Sequence, residues 1–387
     1  MSHTNTSCIP VLSFLAAGNY EFKFVGEGAA NVVFEVIPQP GDEHSSTFQG
    51  YLLRVPKAET KAHNYVELQE YWETVVKPLF EPEELVQQRL VKLGSEEIAS
   101  RLNATLALKE ETRRPDFRGS RVAVAEYGML VEDMRQSHTG DLTLEFKPKW
   151  LAQSRHAPPS ATRCRTCARE ALRQHTKPQA AKKRPDGTPS TPLCPLNLLA
   201  CATSPTALAH VTAQLSTLTP PTGSICPAST ATTTTTTTPP AQQQQQNARL
   251  TTWLCTNTLL PRLRAAQLAH DNDNNNDNDN NNNDVNDPNP DPAKLALAMT
   301  LRDCACFVRV PADAGRPVEA KLADLDRKNW AAKMGYWRDL EGRLVEGGYY
   351  EGREVEVVGE GEVEGVGTDC LLEGRGMVEG EGGGREV

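Results

Sequence analysis

The chain has 387 residues, of which 38% are hydrophobic, a low share that leaves part of it outside any packed core. A net charge of −9 argues against a general nucleic-acid binder, and no run of 18 apolar residues is present for a membrane helix. The first ten residues are polar and do not read as a signal peptide, so the ten cysteines are expected to be reduced in a soluble intracellular protein.

Residues 20–60 predict strands: Phe22 and Phe24, then Val32 to Ile37, then Tyr51 to Val55 after a polar loop. Residues 63–92 predict helix, because Tyr65, Leu68, Tyr71, Trp72, Val75 and Val76 recur at helical spacing. Pro78 breaks that pattern, and a second helix is expected near Glu81-Pro82. Val122 to Val124, Met129 to Val131 and Leu142 to Phe146 read as further strands. After about Lys177 the composition changes. The threonine run 232–238, the glutamine run 242–246 and the Asp/Asn run 271–284 carry too little apolar surface to offset the entropy of ordering. Between them, Leu193 to Leu199 and Leu250 to Leu268 are expected to be ordered. Order should resume near Ala293, with a strand at Cys304 to Val310, and end before a Gly/Glu-rich tail.

Charge is distributed unevenly. Residues 145–184 hold 11 basic and 2 acidic side chains, whereas 351–387 hold 3 basic and 11 acidic. A compact basic segment in an acidic chain points to a polyanionic ligand.

Five motifs could carry chemistry. Gly26-Glu27-Gly28-Ala29-Ala30-Asn31 lies between β-rich runs, so it is not a Rossmann loop. It fits either a kinase-type phosphate loop or an ordinary glycine turn. Arg54-Val55-Pro56-Lys57 places cations at a strand end, to hold phosphates or simply to be solvated. In Glu145-Phe146-Lys147-Pro148-Lys149-Trp150, an extended backbone puts the two lysines on one face about 7 Å apart. That suits a phosphate site, or a charged edge strand. Arg163-Cys164-Arg165-Thr166-Cys167-Ala168-Arg169 combines cations with a Cys-x-x-Cys pair. A zinc site would need a second pair, and Cys304-x-Cys306 has the wrong spacing, so no zinc site is assigned. Asp303, and Asp324 with Asp326, could hold magnesium or orient a hydroxyl, although a single Asp is usually a cap or turn residue.

Taken in order, Gly-Glu-Gly-Ala-Ala-Asn, Leu-Arg-Val-Pro-Lys, Glu-x-Lys-Pro-Lys-Trp-Leu-x-Gln-Ser, Arg-Cys-Arg-Thr-Cys-Ala, Cys-Pro-Leu-x-Leu and Asp-Leu-Asp-x-Lys resemble the fungal inositol-pentakisphosphate 2-kinases over most of residues 20–350. Glu-x-Lys-Pro-Lys is that family's hallmark. The resemblance implies an α+β, two-lobed kinase-like fold. An N-terminal lobe of antiparallel sheet plus helices (20–137) would bind the nucleotide. A larger C-terminal lobe (138–350), interrupted at about 178–192, 203–249 and 270–292, would bind the inositide. Residues 1–19 and 351–387 would be flexible. It further implies that ATP and Mg²⁺ are used to phosphorylate the 2-hydroxyl of inositol 1,3,4,5,6-pentakisphosphate. A degenerate, non-catalytic inositide-binding module is the alternative.

By position, the resemblance assigns Gly26, Gly28, Ala29, Ala30, Asn31 and Arg54 to ATP, with Glu132 to Met134 as the hinge that meets adenine. Lys147, Lys149 and Asp303 would be catalytic, and Asp303 and Asp324 would meet magnesium. Lys149, Arg165, Arg169, Lys328 and Tyr336 would contact substrate phosphates. Ala332 and Asn197 depart from the family pattern. A monomer acting on a small molecule is expected, without nucleic-acid or membrane partners, in the nucleus or cytoplasm.

Overall fold

The computed structural model describes residues 11–12, 20–39, 45–60, 63–93, 96–135, 140–176, 193–216, 218, 240–271, 292–352 and 370–372. The threonine run and all but the first residue of the Asp/Asn run lie outside these residues. The class is α+β, as expected. The chain divides into two compact units. Met1–Glu145, Thr219–Gln246 and Cys306–Arg327 form the first; Phe146–Leu218, Asn247–Ala305 and Lys328–Val387 form the second.

The first unit contains β1 (Val11–Leu12), β2 (Tyr20–Glu27), β3 (Asn31–Pro38), α1 (Ser45–Phe48), β4 (Tyr51–Pro56), α2 (Tyr65–Tyr71), β5 (Gln88–Leu93), α3 (Glu96–Ala107) and β6 (Tyr127–Glu132). Six strands form one sheet in the order β1-β5-β6-β4-β3-β2. The β1–β5 pair is parallel and the other pairings are antiparallel. β4 runs through the interior of this sheet and is buried on both faces over Leu52 to Val55. This is why apolar side chains stand at the adjacent positions Leu52 and Leu53 rather than alternating with polar ones, and why the charged residue of the strand, Arg54, is buried. The core gathers Phe22, Phe24, Phe34, Leu53, Val91 and Leu130 from the strands with Ile98, Leu102 and Leu106 from α3. Those three α3 positions recur every four residues and so form one helix face.

Two expectations for this unit fail. Val122 to Val124 forms only an isolated bridge between Val122 and Lys57, whereas the strand expected at Met129 to Val131 is present as β6. The helix expected from Glu81-Pro82 is a single 3-10 turn, Pro82–Glu84, closed by reciprocal capping between Glu81 and Glu84. Beyond it the chain becomes β5, with Val91 and Leu93 buried and Lys92 between them exposed. Proline does start a helical turn here, but two-residue alternation takes over before helical spacing can be satisfied. The helix from Tyr65 does form. Asn64 caps it by accepting the Glu67 N–H at 2.9 Å, and Trp72–Val76 continues it as a π turn.

A three-stranded sheet of β7 (Leu142–Phe146), β8 (Ala305–Val310) and β9 (Glu319–Ala323) is ordered β7-β8-β9. Within the first unit, Val86 N–H donates to the Leu322 carbonyl of β9 at 2.9 Å.

The second unit is helical: α4 (Arg165–Thr176), α5 (Pro195–Ala200), α6 (Pro205–Ser216), α7 (Pro240–Thr256), α8 (Leu259–Ala269), α9 (Pro292–Leu301) and α10 (Trp330–Glu346). Four of these begin at proline, whose fixed φ and missing N–H suit a first turn. α10 packs on α4 through Leu340 and Leu344 against Ala168, Ala171 and Leu172. The first turns of α7 count with the first unit and contain the glutamine run. There Gln246 is buried and donates to the Gly140 and Val310 carbonyls, so this low-complexity tract is ordered in part. The helix expected at Leu250 to Leu268 is two helices, α7 and α8, parted at Asn257-Thr258. No helix among the described residues is long and apolar enough to cross a membrane.

Candidate active site

In the second unit, β7 ends at Phe146, so the hallmark lysines lie just beyond the strand. The chain does not stay extended, because Lys149 has φ +59°. Only three non-glycine described residues have positive φ, and two of them, Lys149 and Asp324, are candidate site residues. Such a conformation costs a non-glycine residue about 1 kcal/mol or more and tends to occur where the surrounding structure enforces it for a purpose.

The enforcing group is Gln267 of α8. Its amide donates to the Lys149 carbonyl at 2.8 Å and to the Leu301 carbonyl at 3.0 Å, and its Oε1 accepts the Leu151 N–H at 2.9 Å. This fully buried side chain ties the Lys-Pro-Lys-Trp-Leu segment to the end of α9, two residues before Asp303. Sequence reasoning missed it. The signal was present: Gln267 lies on the Leu260–Leu263 face of α8, where a polar residue must find partners.

With both segments fixed, three ammonium groups meet one carboxylate. Lys149 Nζ lies 2.8 Å from Asp303 Oδ1, Lys328 Nζ lies 3.0 Å from Oδ2, and Lys147 Nζ donates to the Asp303 carbonyl at 2.9 Å with Oδ1 at 3.6 Å. All four side chains keep partial exposure, from 24% at Lys328 to 43% at Asp303. Burial acts to raise the Asp303 pKa, but Lys328, Lys149 and Lys147 override it and hold the carboxyl well below the usual range. Among these four groups, three cations face one anion.

Trp150 of the hallmark is clasped by guanidinium groups, with Arg165 4.1 Å and Arg302 3.7 Å from its ring centroid. Arg302 pairs with Asp271 at 2.6 Å. Arg165 is buried and donates to Glu341 at 2.6 Å; Glu341 also accepts from Ser154 and Tyr350. Arg165 therefore stands as a neutralised positioning group, not as the open phosphate ligand expected. Arg169, one turn on, is exposed, and Tyr336 is 54% exposed on α10. The structure brings neither into the Asp303 cluster.

In the first unit, Gly26 ends up inside β2 after a register shift between Phe24 and Gly26, and Gly28 N–H closes the turn onto the Asn31 carbonyl at 2.9 Å. Gly28 and Ala29 are exposed, and a Cβ at Gly28 would meet nothing within 4 Å. The Asn31 side chain accepts from the Tyr65 hydroxyl at 2.9 Å. Arg54 is buried, and its guanidinium grips Asp326 through two hydrogen bonds of 2.9 and 3.1 Å, 5.3 Å from the Tyr65 ring centroid. It thus anchors the Asp324-Leu325-Asp326 segment, a contact that was not anticipated. Lys57 is occupied as well, in a buried cluster with Glu27 and Arg113, each cation 2.7 Å from that carboxylate. Glu132 ends β6 and its carboxylate accepts from Lys321 at 2.5 Å and from the Gln87 N–H at 3.1 Å, while its own N–H donates to the Gln87 carbonyl; Met134 is buried just beyond.

The family model for inositol-pentakisphosphate 2-kinase matches residues 24–343. The chain belongs to that family. It is also 27% identical over 232 residues to the inositol-pentakisphosphate 2-kinase of Yarrowia lipolytica (strain CLIB 122 / E 150), a stretch covering 59% of this chain and 56% of the relative. The chain thus spans little more than half the length of that curated relative. Every residue of the lysine cluster, and Gln267 beneath it, falls inside the inositol-pentakisphosphate 2-kinase match.

Proposed function

We propose that this chain transfers the γ-phosphate of ATP to the 2-hydroxyl of inositol 1,3,4,5,6-pentakisphosphate, giving the hexakisphosphate. The observation that supports this most is the convergence of Lys147, Lys149 and Lys328 on Asp303. A ligand bearing five phosphates needs clustered cations, and phosphoryl transfer needs positioned positive charge where the transferred group passes.

On this reading the lysines move from Asp303 to phosphate oxygens when the ligands bind. Asp303 loses its neutralising partners, its carboxylate becomes more basic, and it orients and accepts the proton of the 2-hydroxyl. Gly26 to Asn31 lie along the ATP phosphates, and Glu132 to Met134 form the adenine hinge. Asp303 and Asp324 offer the hard oxygen donors that Mg²⁺ prefers, and the ion would neutralise charge on the phosphates. The two units are read as the nucleotide-binding and inositide-binding lobes of a kinase-like chain.

Purified chain given magnesium-ATP and the pentakisphosphate should yield hexakisphosphate, with the new phosphate located by phosphorus NMR. Titration showing tight pentakisphosphate binding with no turnover would instead support the non-catalytic binding module.

A further inference from the structure

The loop Gly26 to Asn31 contains an acidic residue, Glu27, and an open carboxylate there would repel a triphosphate. The fold turns that carboxylate away. Glu27 ends β2 with its side chain 2% exposed, whereas Gly28 and Ala29 at the tip of the loop are exposed. Three charge-assisted contacts of 2.7 Å hold it beneath the loop: Arg113 Nε to Oε1, Arg113 Nη2 to Oε2, and Lys57 Nζ to Oε2. Burial acts to raise the Glu27 pKa, but Arg113 and Lys57 override it, so the carboxyl stays ionised.

Both cations are themselves fixed. The buried Arg113 guanidinium also donates to Glu110 at 2.6 Å, and to the Phe117 carbonyl and the Ser120 hydroxyl at 2.7 Å each, which ties the 110–120 segment to the back of the loop. The Lys57 ammonium lies 3.9 Å from the Phe117 ring centroid, and the Lys57 backbone N–H donates to the Ala30 carbonyl at 2.8 Å. The loop is thus held at Glu27 by side chains and at Ala30 by backbone, on either side of its exposed tip. A buried ionic network contributes little more to stability than apolar side chains of similar volume, so its value lies in where it places Glu27. We propose that Arg113 is a positioning residue for the triphosphate of ATP: by holding Glu27 beneath the loop, it presents Gly28 to Ala30 to the phosphates without a competing carboxylate. This rests on the assignment of Gly26 to Asn31 to the nucleotide. Arg113 is not itself a phosphate ligand, because its side chain is 1% exposed. Without it, one ammonium alone faces the carboxylate, and Glu27 is free to swing toward solvent, where it repels the phosphates.

The test is calorimetric titration of the full-length chain with magnesium-ATP and with adenosine. Arg113→Met should weaken ATP binding about tenfold or more and adenosine binding by less than about twofold, because only the phosphates meet the loop. Adding Glu27→Gln to Arg113→Met should recover most of the lost ATP affinity, since it removes the repelling charge. Arg101→Met, which takes a hydrogen bond from the Tyr20 carbonyl at the other end of β2, should leave both affinities within about twofold of wild type. Equal losses of ATP and adenosine in Arg113→Met would mark a general loosening and overturn the proposal. Unchanged ATP binding, or no recovery with Glu27→Gln, would do the same. Where Arg113→Met fails to fold, Arg113→Lys, which keeps the charge but not the paired guanidinium contacts, carries the same comparison. A wild-type chain that binds no ATP would overturn the nucleotide assignment together with this proposal, whereas equal ATP affinity in wild type and variant removes only the role of Arg113.

Discussion

At the residue scale, Asp303 is held ionised by its three lysines. A carboxylate whose folded pKa lies below its unfolded value of about 3.9 stabilises the fold above that value, and the contribution is lost as pH falls through the folded pKa. Urea denaturation of wild type and Asp303→Asn should therefore show a stability gap that is constant from about pH 5 to 8 and shrinks in acid. A gap that widened in acid would contradict this assignment. The lysines and Asp303 were legible in the sequence because Lys-Pro-Lys and the Asp before an apolar strand are local patterns. Their convergence was not, since nothing in the order of residues says that Lys328 reaches the same carboxylate as Lys149. Arg54 illustrates the opposite case. Its role as a phosphate ligand was inferred from its place at a strand end, but a buried guanidinium requires a carboxylate, and Asp326 supplies it.

At the element scale, one buried amide sets the backbone of the hallmark. Gln267→Leu keeps the volume but strands the Leu151 N–H and two carbonyls, and should cost about 2–3 kcal/mol in denaturant unfolding. It should also lower kcat more than it raises KM for the inositide, because Lys149 loses the restraint on its left-handed backbone. Elements with unbroken local periodicity, such as β2 to β4 and α2, were readable in advance. β5 was not, because its alternation is short and follows a proline that also suits a helix start. α3 was readable in principle through Ile98, Leu102 and Leu106, whereas α7 draws on a glutamine tract whose order depends on carbonyls far away in sequence.

At the scale of the whole molecule, composition separated low-complexity tracts from core but treated residues 351–387 as one solvated tail. Cys370 is an exception, at 5% exposure among three other cysteines. A chain ending after Glu373 should therefore keep the thermal midpoint of the full chain, whereas one ending after Gly352 should melt lower by about 5 °C or more, as expected when a buried side chain is removed from a packed cluster. Equal midpoints would remove the role given to Cys370. The proposed reaction turns on Asp303 of the lysine–aspartate cluster in the second unit. The most direct measurement is the single-turnover rate of Asp303→Asn against wild type at saturating ATP and inositol pentakisphosphate. A loss of about 10²-fold or more, with inositide affinity kept or tightened because the lysines are released, is the predicted result. A variant that retains a rate within about twofold of wild type would contradict the placement of the reaction centre at this carboxylate.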